Sequence, residues 1–251
     1  IAMNTSFAQA PILGAVMLLL IATTLVRAED ERQSARHFEK IITQTVSLNY
    51  LLYLPEGYAE APAKSWPLVL FLHGAGERGT DLEKVKIHGI PKLIAEGKEF
   101  PFIAVSPQCP DGIWWDHAST QAALYELILE MQQEYRVDPK RIYLTGLSMG
   151  GFGTWALATA HPELFAAIAP ICGGGQPFRA KQHLRNTPVW IFHGEKDTVV
   201  DPQLSKDMYD ALKSVEADVQ LTLYPEAGHD SWTATYNNPE FYEWMLKQRR
   251  P

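Results

Sequence analysis

Arg141-Ile-Tyr-Leu-Thr145 is followed without a break by Gly146-Leu-Ser148-Met-Gly150, and that by Gly151-Phe152-Gly-Thr-Trp-Ala-Leu-Ala-Thr-Ala160. The first five residues form a short run rich in β-branched and aromatic side chains, which reads as a strand. The stretch Phe152–Ala160 reads as a helix. Between them lies G-x-S-x-G, a sharp strand-to-helix turn that holds a serine hydroxyl out from a sheet. Its two glycines are steric requirements, because a side chain at either position would collide where strand and helix meet closely. Alone the motif is weak: a chain this long matches it by chance on the order of one time in ten. Its position between strand and helix gives it meaning.

The same alternation extends in both directions. Ile41–Val46 and Leu48–Leu54 predict two neighbouring strands. Pro67–Leu72 is almost continuously apolar, as expected of a strand buried on both faces of a parallel sheet. Similar runs recur at Phe102–Ser106, Ala166–Cys172, Val189–His193 and Val219–Tyr224. Helical patterns separate them at Thr120–Tyr135, Gln203–Val215 and Pro239–Gln248; the first places Ala123, Leu124, Leu127, Ile128 and Met131 on one face. Strands alternating with helices of this length predict an α/β fold with a mostly parallel, doubly wound sheet. With 251 residues, no internal repeat and no composition break after residue 37, a single domain is expected over residues 29–251.

Residues 1–28 differ. Pro11–Val26 holds only apolar residues, Gly14 and two threonines before Arg27-Ala28-Glu29-Asp30 turns polar. That length is short for a membrane span and suits a signal peptide cut before Glu29, which predicts export and no membrane span after processing. An N-terminal helix docked on the domain is the alternative. A formal charge of −7 argues against a broad phosphate-binding surface, so no nucleic-acid partner is expected. The basic end, Lys247–Arg250, reads as a solvated helix terminus. Cys109 and Cys172 lack metal-ligand spacing and read as free thiols, so no metal or organic cofactor is implied.

A serine hydroxyl is a poor nucleophile until a base takes its proton. His229, in Pro225-Glu-Ala-Gly-His229 after the strand Val219–Tyr224, is the candidate base. Asp197, in His193-Gly-Glu-Lys-Asp197 after Val189–His193, is the candidate acid that orients it. Both follow strands at the edge where such sheets place their ligands. Asp201 reads instead as a helix cap before Pro202, and Asp230 is awkwardly placed to orient its own neighbour. His73 and His193, each before a glycine at a strand end, are expected to make structural hydrogen bonds. His37, His88, His117, His161 and His183 read as surface or packing residues. His73-Gly-Ala75-Gly, after the buried strand, predicts an oxyanion hole made by the backbone N–H groups of Ala75 and Met149. Gly151-x-Gly153-x-x-Ala156 also fits a dinucleotide fingerprint, but it falls inside the helix, where close packing explains the glycines.

His73-Gly-Ala-Gly-Glu-Arg-Gly-Thr-Asp81, Ser106-Pro-Gln-Cys-Pro110, Gly146-Leu-Ser-Met-Gly-Gly151 and Gly228-His-Asp-Ser-Trp232 occur in that order. From about residue 38 onward the chain thereby resembles bacterial esterases of the dienelactone-hydrolase and prolyl-oligopeptidase-like branch, including feruloyl-esterase-like enzymes. The resemblance implies the α/β-hydrolase fold and hydrolysis of carboxylic esters through an acyl-enzyme, with short-chain or aryl esters as substrates.

The connection from Cys172 to Val189 is too short for a lid domain, so an open site accepting bulky or polymer-attached esters is expected. Trp114, Trp115 and Trp232 either pack as core or line the site. Glu77, Arg78 and Asp81 are expected to form a local ion pair holding the oxyanion loop. A serine peptidase using the same residues, a thioesterase and a hydrolase-like binding protein are the alternatives. Nothing in the sequence sets the oligomeric state.

Overall fold

The computed structural model describes residues 33, 35–41, 43 and 45–251. The apolar segment 11–26 and the expected cut before Glu29 lie outside the described residues. Within the compact unit Gln44–Pro251, seven strands form one sheet: β1 (Tyr50–Tyr53), β2 (Trp66–Leu72), β3 (Ile103–Pro107), β4 (Val137–Leu147), β5 (Ala167–Ile171), β6 (Val189–Gly194) and β7 (Val219–Tyr224). Their order is β1-β3-β2-β4-β5-β6-β7. β1 pairs antiparallel with β3, and every other pairing is parallel. This is the α/β-hydrolase fold.

Helices cover both faces, which is why β2, β3 and β5 are buried along their whole length and read as unbroken apolar runs. Alternation survives in where the side chains go. Leu68, Leu70 and Leu72 join Leu124, Ile128 and Met131 in one core, while Val69 and Phe71 join Phe241 and Met245 in the other. The covering helices are α1 (Gly89–Ala95), α2 (Ala118–Glu134), α3 (Met149–Ala160), α4 (Pro177–His183), α5 (Gln203–Lys213), α6 (Trp232–Asn237) and α7 (Pro239–Lys247). All five residues expected on the inner face of α2 are buried. Asn238 caps α7, its side chain accepting from the Glu240 N–H, with Pro239 opening the helix.

Two expectations are corrected. Ile41, Thr43, Thr45 and Val46 belong to no strand, and the run Leu48–Leu54 contracts to the four residues of β1, an edge strand with β3 as its partner. The basic C-terminal end is solvated at Lys247 and Arg249, as expected of a helix terminus, and is also tied back to β4. Arg249 Nη1 lies 2.8 Å from Asp138 Oδ2, and the Arg250 N–H donates to the Lys140 carbonyl at 3.0 Å. Among the described residues no helix is long and apolar enough to cross a membrane.

The strand order also fixes where a site can form. The chain passes from β2 to β3 on one side, then crosses β2 to build β4 on the other. Loops leaving the carboxyl ends of β2 and β4 therefore diverge and open a crevice at that switch point.

Candidate active site

Ser148 occupies the turn between β4 and α3 with φ 53° and ψ −116°. A non-glycine residue in this region is strained. Two hydrogen bonds hold it there, from the Ser148 N–H to Ile171 O at 2.9 Å and from the Phe152 N–H to Ser148 O at 3.1 Å. The flanking glycines let backbone meet backbone. A Cβ at Gly146 would stand 2.5 Å from the Gly150 carbonyl oxygen, and one at Gly150 would overlap that of Leu72.

Asp197 follows β6, and its carboxylate is saturated with donors. Oδ1 accepts from the N–H groups of Val199 and Val200 at 2.8 and 2.9 Å. Oδ2 lies 2.7 Å from His229 Nδ1 and 3.1 Å from His193 Nε2. Burial pushes the Asp197 carboxyl up, but the His229 and backbone hydrogen bonds together outweigh it and hold the group below its ordinary value. The loop after β7 is pressed onto this one: the Lys196 N–H donates to Ala227 O at 3.0 Å, and a Cβ at Gly194 would overlap the Ala227 and Gly228 carbonyls.

His229 Nε2 then lies 2.9 Å from Ser148 Oγ. An ionised carboxylate can only accept, so Nδ1 donates and Nε2 is left as the acceptor for the serine proton. Ser148, His229 and Asp197 thus form one hydrogen-bonded chain. Such a chain can activate a hydroxyl for attack on a carbonyl carbon.

Ala75 opens a 3₁₀ turn, Ala75–Glu77, and Met149 opens α3. First residues of helical turns have backbone N–H groups without an intrahelical acceptor, as an oxyanion site requires. The loop that carries Ala75 is fixed from beneath by His73, which has no exposed surface. His73 Nε2 accepts the Cys109 N–H at 2.9 Å, Nδ1 donates to Gly74 O at 2.6 Å, and the Trp115 indole donates to His73 O at 2.9 Å. Burial lowers the His73 imidazole to about 4, so the ring is neutral at neutral pH.

The expected ion pair among Glu77, Arg78 and Asp81 is not formed. Arg78 Nε donates to Ala75 O at 2.9 Å, Asp81 caps the turn at Glu83, and Glu77 faces His73 and His88 at 3.9 and 4.0 Å. The tie is Gln108, whose amide donates to Glu77 O at 2.8 Å and Asp81 O at 2.7 Å. Backbone carbonyls win here because a buried amide can serve two of them, whereas an ion pair would have to be desolvated.

The tryptophans divide. Trp115 is fully buried and belongs to the core, so of its two expected roles it packs and does not line the site. Trp114 is 47% exposed, with the Arg78 guanidinium 5.9 Å from its ring centroid. Trp232 packs edge-on against the His229 ring at 5.2 Å and against His88 at 5.3 Å. His88 is therefore a packing partner of the site.

Asp201 accepts from the Gln203 N–H and Asp230 from Thr233, both as local caps. His193 reaches the Asp197 carboxylate, a contact signalled in the sequence only by its four-residue spacing across a tight loop. Burial lowers the His193 imidazole against the opposing pull of Val200 O and Asp197.

Both cysteines are free and buried. Cys172 Sγ lies with an Asp197 oxygen and a His229 nitrogen inside a 4.8 Å cluster, a proximity the sequence did not reveal. Burial pushes that thiol up to about 12, and the imidazole and carboxylate are already joined, so the donor set suits a proton chain better than a metal ion.

The model of the dienelactone hydrolase family matches residues 104–242, more than half of the chain, and spans the serine turn and both partner loops. The chain belongs to the dienelactone hydrolase family. Among proteins similar to this family member is a bifunctional acetylxylan esterase/xylanase of Neocallimastix patriciarum, 33% identical over 144 residues, covering 56% of this chain and 21% of that protein. A probable feruloyl esterase C of Aspergillus terreus is 29% identical over 130 residues, 50% of this chain and 46% of that one. A solved thermostable esterase superposes with a TM-score of 0.71 at 35% identity, covering 81% of this chain and 60% of its own. The chain thus spans between about a fifth and three fifths of the lengths of these relatives.

Proposed function

We propose that the chain hydrolyses carboxylic esters through an acyl-enzyme. The observation that carries this reading is the unbroken chain Asp197 Oδ2–His229 Nδ1 and His229 Nε2–Ser148 Oγ, at 2.7 and 2.9 Å, beneath a turn that exposes the hydroxyl. Ser148 attacks the carbonyl carbon while His229 takes its proton, and the resulting oxyanion is met by the N–H groups of Ala75 and Met149. Asp197 stabilises the imidazolium. His229 then protonates the leaving alkoxide, and a water activated by the same ring releases the acid and restores Ser148. Short-chain and aryl acyl groups are the substrates favoured by this reading. It draws on relatives named for acetyl and feruloyl esters and on the exposed Trp114 beside Arg78, which hydrogen-bonds the Ala75 carbonyl. The apolar segment 11–26 supports export, and an uncut Glu29 junction in protein recovered outside the native cell would reject that part.

The test pairs the protein with Ser148→Ala on 4-nitrophenyl esters of increasing chain length, methyl ferulate and a peptide anilide. Loss of kcat on the order of 10⁶ in the variant supports the mechanism. Turnover of the anilide alone would move the reading to a peptidase, and equal feeble rates in both proteins would remove catalysis altogether.

A further inference from the structure

A groove of about 430 Å³ runs along α3 between α4 and the start of α5, outside the hydrogen-bonded chain just described. It begins one helical turn from the nucleophile, at Phe152, whose backbone N–H donates to Ser148 O. We propose that this groove holds the carbohydrate portion of an ester-bearing oligosaccharide or polysaccharide while the acyl carbonyl sits at Ser148. The proposal rests on the esterase reading above and names the class of alcohol that the site receives.

Four features point to a neutral, hydroxyl-rich chain. The volume lies within the range of about 300–1,000 Å³ typical of sites for small organic ligands. Phe152 supplies aromatic surface above the buried Trp155, while Gln121, Gln176, Asp116 and Arg179 supply amides and one charge of each sign. Among the described residues, the side chains of Asp116, Gln176 and Arg179 line the groove and take part in no hydrogen bond or ion pair. A purely apolar ligand would desolvate these groups without replacing their hydrogen bonds. Sugar hydroxyls both donate and accept, so they suit such a mixture.

Charge and shape narrow the class further. A polyanion would meet a chain of formal charge −7 and a groove whose single cation is matched by Asp116. Among the described residues the connection between β5 and β6 contains only the seven-residue helix α4, so it adds no lid over the groove and leaves room for a long polymer to pass along it. Its wall is also tightly built. A Cβ at Gly175 would stand 2.8 Å from Trp155 Cβ, and one at Gly174 would stand 3.0 Å from Leu204 Cβ. These glycines bring the loop against the aromatic floor and leave the space above it open.

The experiment compares the unmodified protein with Gln176→Ala/Arg179→Ala, both exposed positions. The kcat/KM on an acetylated xylo-oligosaccharide is divided by that on 4-nitrophenyl acetate, which has no sugar. Losing two ligand hydrogen bonds is expected to lower this ratio roughly tenfold, through KM. A ratio unchanged by the double substitution would overturn the proposal. Calorimetric titration with the de-esterified oligosaccharide reads the groove without catalysis. Millimolar binding that weakens in the variant supports it, and no binding up to the solubility limit overturns it even if esters are hydrolysed. Sugar binding without turnover of any ester would instead reject the catalytic reading and leave the groove assignment standing.

Discussion

Lowering the pH from about 7 to about 5 tests how the oxyanion loop is held, because the buried His73 ring beneath that loop resists the proton. His73 has no exposed surface, and its Nε2 is an acceptor for the Cys109 N–H. A proton added there would set an N–H against an N–H at a position with no exposed surface. Unfolded, the imidazole titrates near 6.5; folded, it titrates near 4. Between those values the unfolded chain binds a proton that the folded chain refuses, so stability rises with pH through that window and is lost as pH falls through it. Below about 4 both states are protonated and the loss is complete. The interval corresponds to about 3 kcal/mol, of which about 2 kcal/mol falls between pH 7 and pH 5.

The assay is urea unfolding of the protein and of His73→Gln at several pH values across that window. Glutamine can still accept from Cys109 but does not titrate. The variant should be less stable at pH 7 by about 1–3 kcal/mol for its lost contacts, yet should lose about 2 kcal/mol less on acidification to pH 5. Contributions from His193 and the carboxyl groups are shared by both proteins and cancel in the difference. Parallel pH profiles for the two proteins would refute the reasoning, since they would mean that His73 takes up its proton without cost and the loop is held some other way.

Asp197→Asn should lower kcat by about 10⁴, because an amide nitrogen facing His229 favours the wrong tautomer; ester turnover at pH 7–8 checks it, and a loss below tenfold would show that the carboxylate does not orient the ring. Gly150→Ala should abolish soluble active protein or cost several kcal/mol, since its Cβ would overlap the Leu72 carbonyl at the end of β2; an unchanged thermal midpoint would reject the close packing. Trp115→Ala should destabilise by about 3–5 kcal/mol as a core truncation, whereas Trp114→Ala should leave the unfolding midpoint within about 0.5 kcal/mol and alter the preference between aryl and alkyl esters. Equal stability losses for the two would erase the distinction between core and surface ring.

The parts of this molecule that were legible in the sequence are those fixed by local backbone chemistry. Gly146-Leu-Ser148-Met-Gly150 could be placed because strand, turn and helix each leave a pattern within a few residues. The strands β2 to β7 were found within one or two residues, apart from the longer start of β4, since burial on both faces writes itself as an apolar run. What escaped depended on distant segments meeting. Gln108 ties down the oxyanion loop from 27 and 31 residues away, and Cys172 stands beside the acid and the base through the turn after β5. Gln108 lies within the quoted stretch Ser106–Pro110, yet neither contact leaves a local pattern that names its distant partner. The adjacent Trp114 and Trp115 carry identical side chains and opposite fates, which only the course of the loop decides. Around residues 77–81 charge proximity in sequence misled, because backbone carbonyls captured Gln108 and Arg78.

Strain and burial are concentrated at one edge of the sheet, and that concentration itself argues for a reactive site. Ser148 is held at φ 53°, a conformation costing about 1–3 kcal/mol. Asp197 keeps an ionised carboxylate in a nearly buried position, and His73 keeps a neutral ring where water cannot reach. A fold under no functional demand would relieve each with one substitution: glycine for the serine, an amide for the acid, an apolar residue for the ring. Each relief would undo a different requirement of acyl transfer, namely the exposed hydroxyl, the oriented base and the fixed oxyanion loop. The three also share supports, since β2 leads directly into His73 and lies against β4, which leads directly into the serine, while Gly194 clamps the acid loop onto the histidine loop. Stability gained by relaxing any one of them should therefore come with loss of turnover, as expected where an active site is preorganised by the scaffold rather than by its substrate.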